Sequence, residues 1–406
     1  MSASTDLEAL YDTMCDRGVV HVANMGLEVH RSSLRGLKDK SEDRVVVREF
    51  ELGVLIAVFD GHYTDELSDY AAGVLLQQLC DRICTNASRN GFEDLSAAVE
   101  EALVKGIEDF DASLIDEVMQ LFPEGAATNW ADPFWDDSGE VFEIIGYTKE
   151  DPRFRASRRA LVGTTALVGF IDKEKQNVWV ASLGDSEALL GRVVDGNLQC
   201  VPLNDLHNAS NPAEVARIQV EHADEPSPIW YQRTLGQLTI TRALGDYQLK
   251  VNNDLAGKVL SYAYPSYIGV EDIEDWKKRG HVNPPYLSLT PTLQRHALLP
   301  GDLLVFASDG LRDALRSLQA EDKKARSVLV LAGAGTSDVA SPLASLAEQL
   351  GHDLQPLGVG DNIADLVIRN ALFGTDKKKM AAELALVNGD PERYRDDISV
   401  IVLSCG

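Results

Sequence analysis

Four runs of apolar, largely β-branched residues each abut a carboxylate, and that pairing constrains this chain more than any other feature. Arg44-Val45-Val46-Val47 follows Glu42-Asp43, and Val54-Leu55-Ile56-Ala57-Val58-Phe59 ends at Asp60-Gly61-His62. Leu303-Leu304-Val305-Phe306-Ala307 ends at Ser308-Asp309-Gly310, and Ile398-Ser399-Val400-Ile401-Val402-Leu403 follows Asp396-Asp397. Runs of this kind read as buried strands, so each carboxylate is fixed near the rim of a sheet. Taken singly, an Asp-Gly island reads more readily as a turn or a solvated edge. Four of them, with Gly184-Asp185-Ser186 between, point to converging charge. Close carboxylates cannot all stay ionised unaided. Hard divalent cations with oxygen ligands, magnesium or manganese, are the natural counter-charges, and the chain reads as a two-metal hydrolase.

Composition narrows the partners. The net charge is 38 − 64 = −26, which argues against nucleic acid and against an anionic membrane surface, since both need a basic face. It leaves a phosphorylated substrate open, because bound cations reverse the local field. The 406 residues, 45% hydrophobic and 25% charged, have the balance of a soluble globular protein, and no stretch approaches a membrane span. Cys15, Cys80, Cys84, Cys200 and Cys405 are odd in number and scattered, and read as reduced, mostly buried thiols. Met1 to Arg17 carries Asp6, Glu8, Asp12 and Asp16 without an arginine-rich amphipathic pattern, unlike a secretory signal or a presequence. The expectation is an intracellular, cytoplasmic monomer, or a mitochondrial one if the chain is a mature or truncated form.

Periodicity supplies the organisation. Thr64-Asp65-Glu66 opens a helix whose stripe runs Leu67, Tyr70, Ala71, Val74, Leu75, Leu79, Ile83, stopped by Arg89-Asn90-Gly91. A second stripe joins Leu95, Ala98, Val99, Ala102, Leu103, Ile107, Phe110 and Leu114. Residues 122–160, with Pro123, Gly125, Trp130, Pro133, Trp135 and Asp136-Asp137-Ser138-Gly139, read as a long irregular acidic loop. Strands follow at Gly163–Phe170, Val178–Leu183 and Ala188–Arg192, then a mixed region over 207–240 with a helix near Glu214–His222. Helices are expected near 311–330 and 361–372. Strands cluster, with paired helices between them and no βαβ alternation. That favours an α+β fold of sheet packed on sheet and flanked by helices.

Six motifs, in order, resemble the type 2C metal-dependent serine/threonine phosphatases. They are Val58-Phe59-Asp60-Gly61-His62, Gly163-Thr164-Thr165-Ala166, Leu183-Gly184-Asp185-Ser186, Thr241-Arg242-Ala243-Leu244-Gly245-Asp246, Ala307-Ser308-Asp309-Gly310 and Arg395-Asp396-Asp397-Ile398-Ser399-Val400. Any one is weak, and six in order are specific. The pyruvate dehydrogenase phosphatase branch is the nearest in pattern, on Asp205-Leu206-His207-Asn208 with Glu214 to His222, on Asn283-Pro284-Pro285-Tyr286-Leu287, and on Asn362 to Ala371 with Tyr394 to Asp397.

The resemblance implies a four-layer fold, two packed antiparallel β-sheets sandwiched between pairs of α-helices. It implies an N-terminal extension over 1–35 and a catalytic domain over 36–406, with insertions near 122–160 and 207–240. It implies two magnesium or manganese ions, with a weaker third. By the same resemblance Asp60 bridges the pair, Gly61 offers its carbonyl, Asp309 and Asp396 complete one site, and Glu42 and Asp43 hold the other. Asp185 and Asp313 match the third site, His62 the general acid, and Lys38 the position of a phosphate-gripping arginine. The implied reaction is hydrolysis of phosphoserine or phosphothreonine in a protein by a metal-bridging hydroxide. A phosphoprotein-binding scaffold of the same fold and a hydrolase of small phosphate esters are the alternatives.

Three residues depart from the family pattern. Tyr63 stands where glycine is usual, and its bulk narrows the rim or meets substrate. Lys38 offers a point charge in place of a planar fork. Glu187 replaces an arginine, changing the charge beside Asp185 by two units. Outside the site, Arg242 reads as a buried ion-pair partner and His207 as a hydrogen-bonding turn residue.

Overall fold

The computed structural model describes residues 6–36, 38–89, 94–122, 138–263, 266–333, 340–385 and 395–406. Two antiparallel sheets dominate it. The six-stranded sheet runs, edge to edge, Cys15–Val22, Leu27–Leu34, Ile398–Cys405, Asp302–Ala307, Glu187–Val194 and Asn197–Pro202. The five-stranded sheet runs Thr292–Ala297, Asn177–Leu183, Ala166–Asp172, Gly53–Phe59 and Arg44–Phe50.

Strand periodicity decides what packs where. Successive side chains point to opposite faces, so the wholly apolar strand Gly53–Phe59 is buried twice. Val54, Ile56 and Val58 face the other sheet, meeting Leu167, Val180, Leu304, Phe306 and Ile401. Leu55, Ala57 and Phe59 face the helices Leu76–Arg89 and Leu95–Met119, against Leu79, Ile83, Leu103 and Ile107. The outer face of the six-stranded sheet, with Val305, Val400 and Val402, packs on Glu321–Leu331 and Ile363–Leu372. The result is helix, sheet, sheet, helix, as the α+β reading expects.

The helical stripes form as the spacing requires. The first helical stretch begins at Glu66, passes through a π-helical turn at Ala71–Leu75, and ends at Arg89. The Asn90-Gly91 part of its expected stop lies outside the described residues. Asp94 caps the second helix by accepting from the Ala97 amide at 3.0 Å. Asn362 does the same for Ile363–Leu372, accepting from Asp365 N at 3.1 Å.

Three expectations differ from what is found. The segment 122–160 is not one irregular loop. It holds helices Ser138–Ile145 and Pro152–Leu161, while 123–137 lies outside the described residues. Asp151 caps the latter helix, its carboxylate accepting from Arg153 N at 2.9 Å, and Pro152 sits in its first turn, where a missing N–H costs nothing. The strand expected over Gly163–Phe170 divides at Thr165 into Gly163–Thr164 and Ala166–Asp172. The short piece leaves the large sheet to pair with Gly61–His62 on one side and Leu244–Gly245 on the other. Finally, the segment 1–35, expected as an extension, supplies two strands of the six-stranded sheet and the helix Leu7–Met14.

The region 207–240 belongs to a small lobe with its own core of Leu235, Leu238, Ile240, Ile268, Ile273, Trp276 and Tyr286. Its helix Pro212–Glu221 is fastened through Glu214, which accepts from Arg242 Nε at 3.0 Å, Thr241 Oγ1 at 2.7 Å and Arg217 Nη2 at 2.9 Å. Burial alone would raise this carboxyl, but those charge-assisted bonds hold it far below the usual range. Arg242 is thus an ion-pair partner. His207 accepts from Gly184 N at 3.3 Å, lies 3.1 Å from Thr292 Oγ1, and is pushed by burial down to about 4. Both are structural.

Candidate metal centre

Register brings the carboxylates to one end of the sandwich. Arg44 pairs with Phe59, so Asp43 and Asp60 flank the same end of one sheet. Ala307 pairs with Val400 and Ile398 with Leu34, which sets Asp309 beside Asp396 and Asp397 at the matching end of the other.

Asp60 leaves its strand at a corner that is fixed on both sides. The Thr165 amide donates to its carbonyl at 2.8 Å, and its own amide donates to Thr165 Oγ1 at 3.1 Å. Thr165 Oγ1 in turn lies 2.9 Å from Ser186 Oγ, joining the Gly-Thr-Thr and Gly-Asp-Ser motifs. Asp309 follows Ser308, which exchanges bonds with Ser399 at 3.0 and 2.9 Å. Glycine is required directly after both Asp60 and Asp309. A Cβ on Gly61 would lie 2.6 Å from Glu42 O, and one on Gly310 would lie 2.0 Å from Asp397 O.

Electrostatics show which groups meet. Burial and then the charges of Asp43, Asp309, Asp396 and Asp185 push Asp60 well above the usual carboxylate range. Asp309 is raised likewise, by burial and then by Asp185, Asp396 and Asp313, and shares a hydrogen bond with Asp60. Asp43 is pushed up to about 8 by burial and Asp397, against bonds from Ser308 and Ser399. Its Oδ2 is buried without a hydrogen-bond partner. Asp185 is raised by burial, with relief from Asn208 and Arg312, and Glu42 by burial against the pull of Lys38.

Among the described residues no three such groups stand at closed ligation geometry. An all-oxygen, partly buried, mutually repelling donor set, with an Asp43 oxygen that has no hydrogen-bond partner among the described residues, fits hard divalent cations. Asp60, Asp309, Asp396, Asp43 and Asp185 are brought together, and Asp313 lies near enough to act on Asp309.

The remaining expected residues sit at the edge. Lys38 pairs with Glu42 Oε2. His62 Nε2 lies 2.9 and 2.8 Å from the two carboxylate oxygens of Asp246. Burial pulls the imidazole down, but the charge and hydrogen bonding of Asp246 outweigh it and leave His62 above its ordinary value. Two of the departures have partners from other elements. Glu187 does not leave an uncompensated charge beside Asp185, because Arg312 pairs with it at 2.6 Å and also acts on Asp185. Tyr63 adopts φ 72°, a left-handed conformation costing a bulky residue roughly 1–2 kcal/mol. Tyr267 holds it there, stacking at 3.9 Å and donating to the Tyr63 carbonyl at 3.0 Å.

Two aspartates had no assigned role in the sequence. Asp397 is a clasp: its oxygens accept from Gly36 N and Glu42 N, each at 2.6 Å, tying the Lys38–Glu42 loop to the last strand. Asp246 is the partner of His62.

The chain is similar to known proteins in family model, in sequence and in fold. Residues 141–328 match the family model described as Protein phosphatase 2C. A human protein named [pyruvate dehydrogenase [acetyl-transferring]]-phosphatase 2, mitochondrial, is 35% identical over 260 residues, 60% of this chain and 48% of that one. A protein phosphatase 2C homolog of Schizosaccharomyces pombe is 30% identical over 256 residues, 60% of this chain and 53% of the relative. The chain thus spans about half the length of the curated relatives it matches. The solved structure of a C. elegans sex determining protein superposes with a TM-score of 0.50 at 20% identity, covering 94% of this chain and 65% of that one. That likeness concerns the fold alone.

Proposed function

We propose that this chain, which carries a protein phosphatase 2C domain, is a metal-dependent protein serine/threonine phosphatase. The observation that carries the reading is the carboxylate cluster of Asp60, Asp309, Asp396 and Asp43, in which desolvation and neighbouring charge raise Asp60, Asp309 and Asp43 and call for cations. Metal dependence is general in the family. Magnesium or manganese would be held by Asp60, the Gly61 carbonyl, Asp309 and Asp396 on one side and by Glu42 and Asp43 on the other, with Asp185 and Asp313 available to a weaker third. Bound there, the cations supply a water of lowered pKa and offset the negative charge of the phosphoryl group.

The chain's own residues do the rest. The Thr165 corner keeps Asp60 rigid, so no reorganisation is needed when substrate arrives. His62 gives a proton to the departing seryl or threonyl oxygen. Lys38 exchanges Glu42 for the incoming phosphate. Lys38→Ala should therefore raise KM several-fold with kcat nearly unchanged, and Lys38→Arg should hold or lower KM. Unchanged KM in both variants would remove Lys38 from the site.

The direct test is metal removal. Hydrolysis of an aryl phosphate and of a phosphoserine peptide should vanish with chelator and return with magnesium or manganese. Manganese should also raise the melting temperature, because it binds only the folded chain. Full turnover after exhaustive chelation would sink the reading.

For the substrate, the names of the relatives put phosphorylated pyruvate dehydrogenase first among proteins to assay, and their mitochondrial naming favours that location. Imaging of the tagged full gene product decides between mitochondrion and cytosol. No described helix is long and apolar enough to cross a membrane.

A further inference from the structure

We propose that Asp246 is the positioning residue of His62, fixing the tautomer and plane of its ring. The inference rests on the phosphatase reading for what His62 does, but its evidence is geometric. A carboxylate can only accept, so the 2.8 and 2.9 Å contacts assign the ring N–H to Nε2. Nδ1 is then the nitrogen left to hand a proton to the leaving oxygen. In that step the bond from phosphorus to the attacking water oxygen forms, the bond to the seryl oxygen breaks, and the seryl oxygen takes the Nδ1 proton. The imidazolium ends as neutral imidazole.

Asp246 is built to stay where it is. It is almost wholly buried, and its backbone is left-handed at φ 50° between Gly245 and Tyr247. Both neighbours are anchored on one group, the buried Asp111 of helix Leu95–Met119. Asp111 Oδ1 accepts from the Gly245 amide at 2.7 Å, and its carbonyl accepts from Tyr247 OH at 2.7 Å. Its Oδ2 pairs with the buried Lys250 ammonium at 2.8 Å. Asp246 N donates to Val162 O at 3.2 Å, closing the turn against the short strand. On that strand a Cβ at Gly163 would lie 2.0 Å from Asp246 Oδ2 and 2.2 Å from His62 Nε2, so the pair exists only because residue 163 has none.

The experiment reads the ring and the chemistry separately. In the full chain with isotopically labelled histidine, the neutral His62 ring, read on the alkaline side of its titration, should show an Nε2–H tautomer, and Asp246→Asn should shift the signature. A wild-type Nδ1–H tautomer, or a signature untouched by Asp246→Asn, overturns the proposal whatever His62 does in catalysis, and the wild-type measurement needs no variant to fold. In kinetics, Asp246→Asn should lose on the order of 10²-fold in kcat on a phosphoserine peptide and less on an aryl phosphate, with manganese affinity unchanged. In a His62→Gln background the same change should cost little more. Full additivity of the two losses would show that Asp246 does not act through His62. A His62→Gln variant that is fully active on both substrates would defeat the acid role and leave the tautomer result to judge the positioning alone.

Discussion

Asp309→Asn should leave the chain folded and reduce turnover by on the order of 10³-fold or more, since several kcal/mol of transition-state stabilisation go with a lost anionic ligand. Asp60→Asn should behave alike. The control lies in stability. Asp309 is partly buried and faces the charges of Asp185, Asp396 and Asp313, which without cations oppose its own. Neutralising one relieves repulsion, so the metal-free variant should melt no lower than the metal-free parent. Its manganese-induced rise in melting temperature should shrink at the same time. Calorimetric melts with and without manganese measure both. A variant that loses metal-free stability, yet keeps its manganese response and turnover, would show that Asp309 is a packing residue.

His62→Gln carries the second large effect, and it divides by leaving group. A seryl oxygen leaves as an alkoxide of high pKa and needs a proton, whereas a phenolate scarcely does. The loss in kcat should be on the order of 10²-fold or more on a phosphoserine peptide and clearly smaller on an aryl phosphate. Metal affinity should hold, because the carboxylates remain. Equal losses on both substrates together with weaker manganese binding would recast His62 as an organiser of the carboxylate shell.

What was legible in the sequence was whatever the chain writes locally. The apolar runs ending at Asp60 and Asp309 disclose both strand and carboxylate, because burial of a strand and exposure of its end follow from adjacent residues. The helix Pro152–Leu161 was not legible. Its apolar residues are only Phe154, Ala156, Ala160 and Leu161, and its buried face includes Arg158, which pairs with Glu66 at 2.8 Å. Asp151-Pro152 was the available signal, a cap followed by proline in the first turn. The pairing of Glu187 with Arg312 was not legible, because Arg312 comes from another element. Asp246 was missed for the same reason, since its contact with His62 spans 184 positions. Tandem Asp396-Asp397 held a readable clue: in extended chain neighbours point to opposite sides, so a cluster could take one and the other had to serve elsewhere.

The strand Ile398–Cys405 is not an edge strand. It lies inside the six-stranded sheet, between Leu27–Leu34 and Asp302–Ala307, and Asp397 at its start ties down the loop that bears Glu42. During synthesis, therefore, the strand Leu27–Leu34 waits with one hydrogen-bonding edge open for more than three hundred residues. Such long-range pairing is slow, and open edges invite wrong partners. Until that segment emerges, the nascent chain has neither a closed sheet nor an Asp396 to complete its carboxylate cluster. Completion of this half of the sandwich therefore waits for the same late segment that carries Asp396 and Asp397.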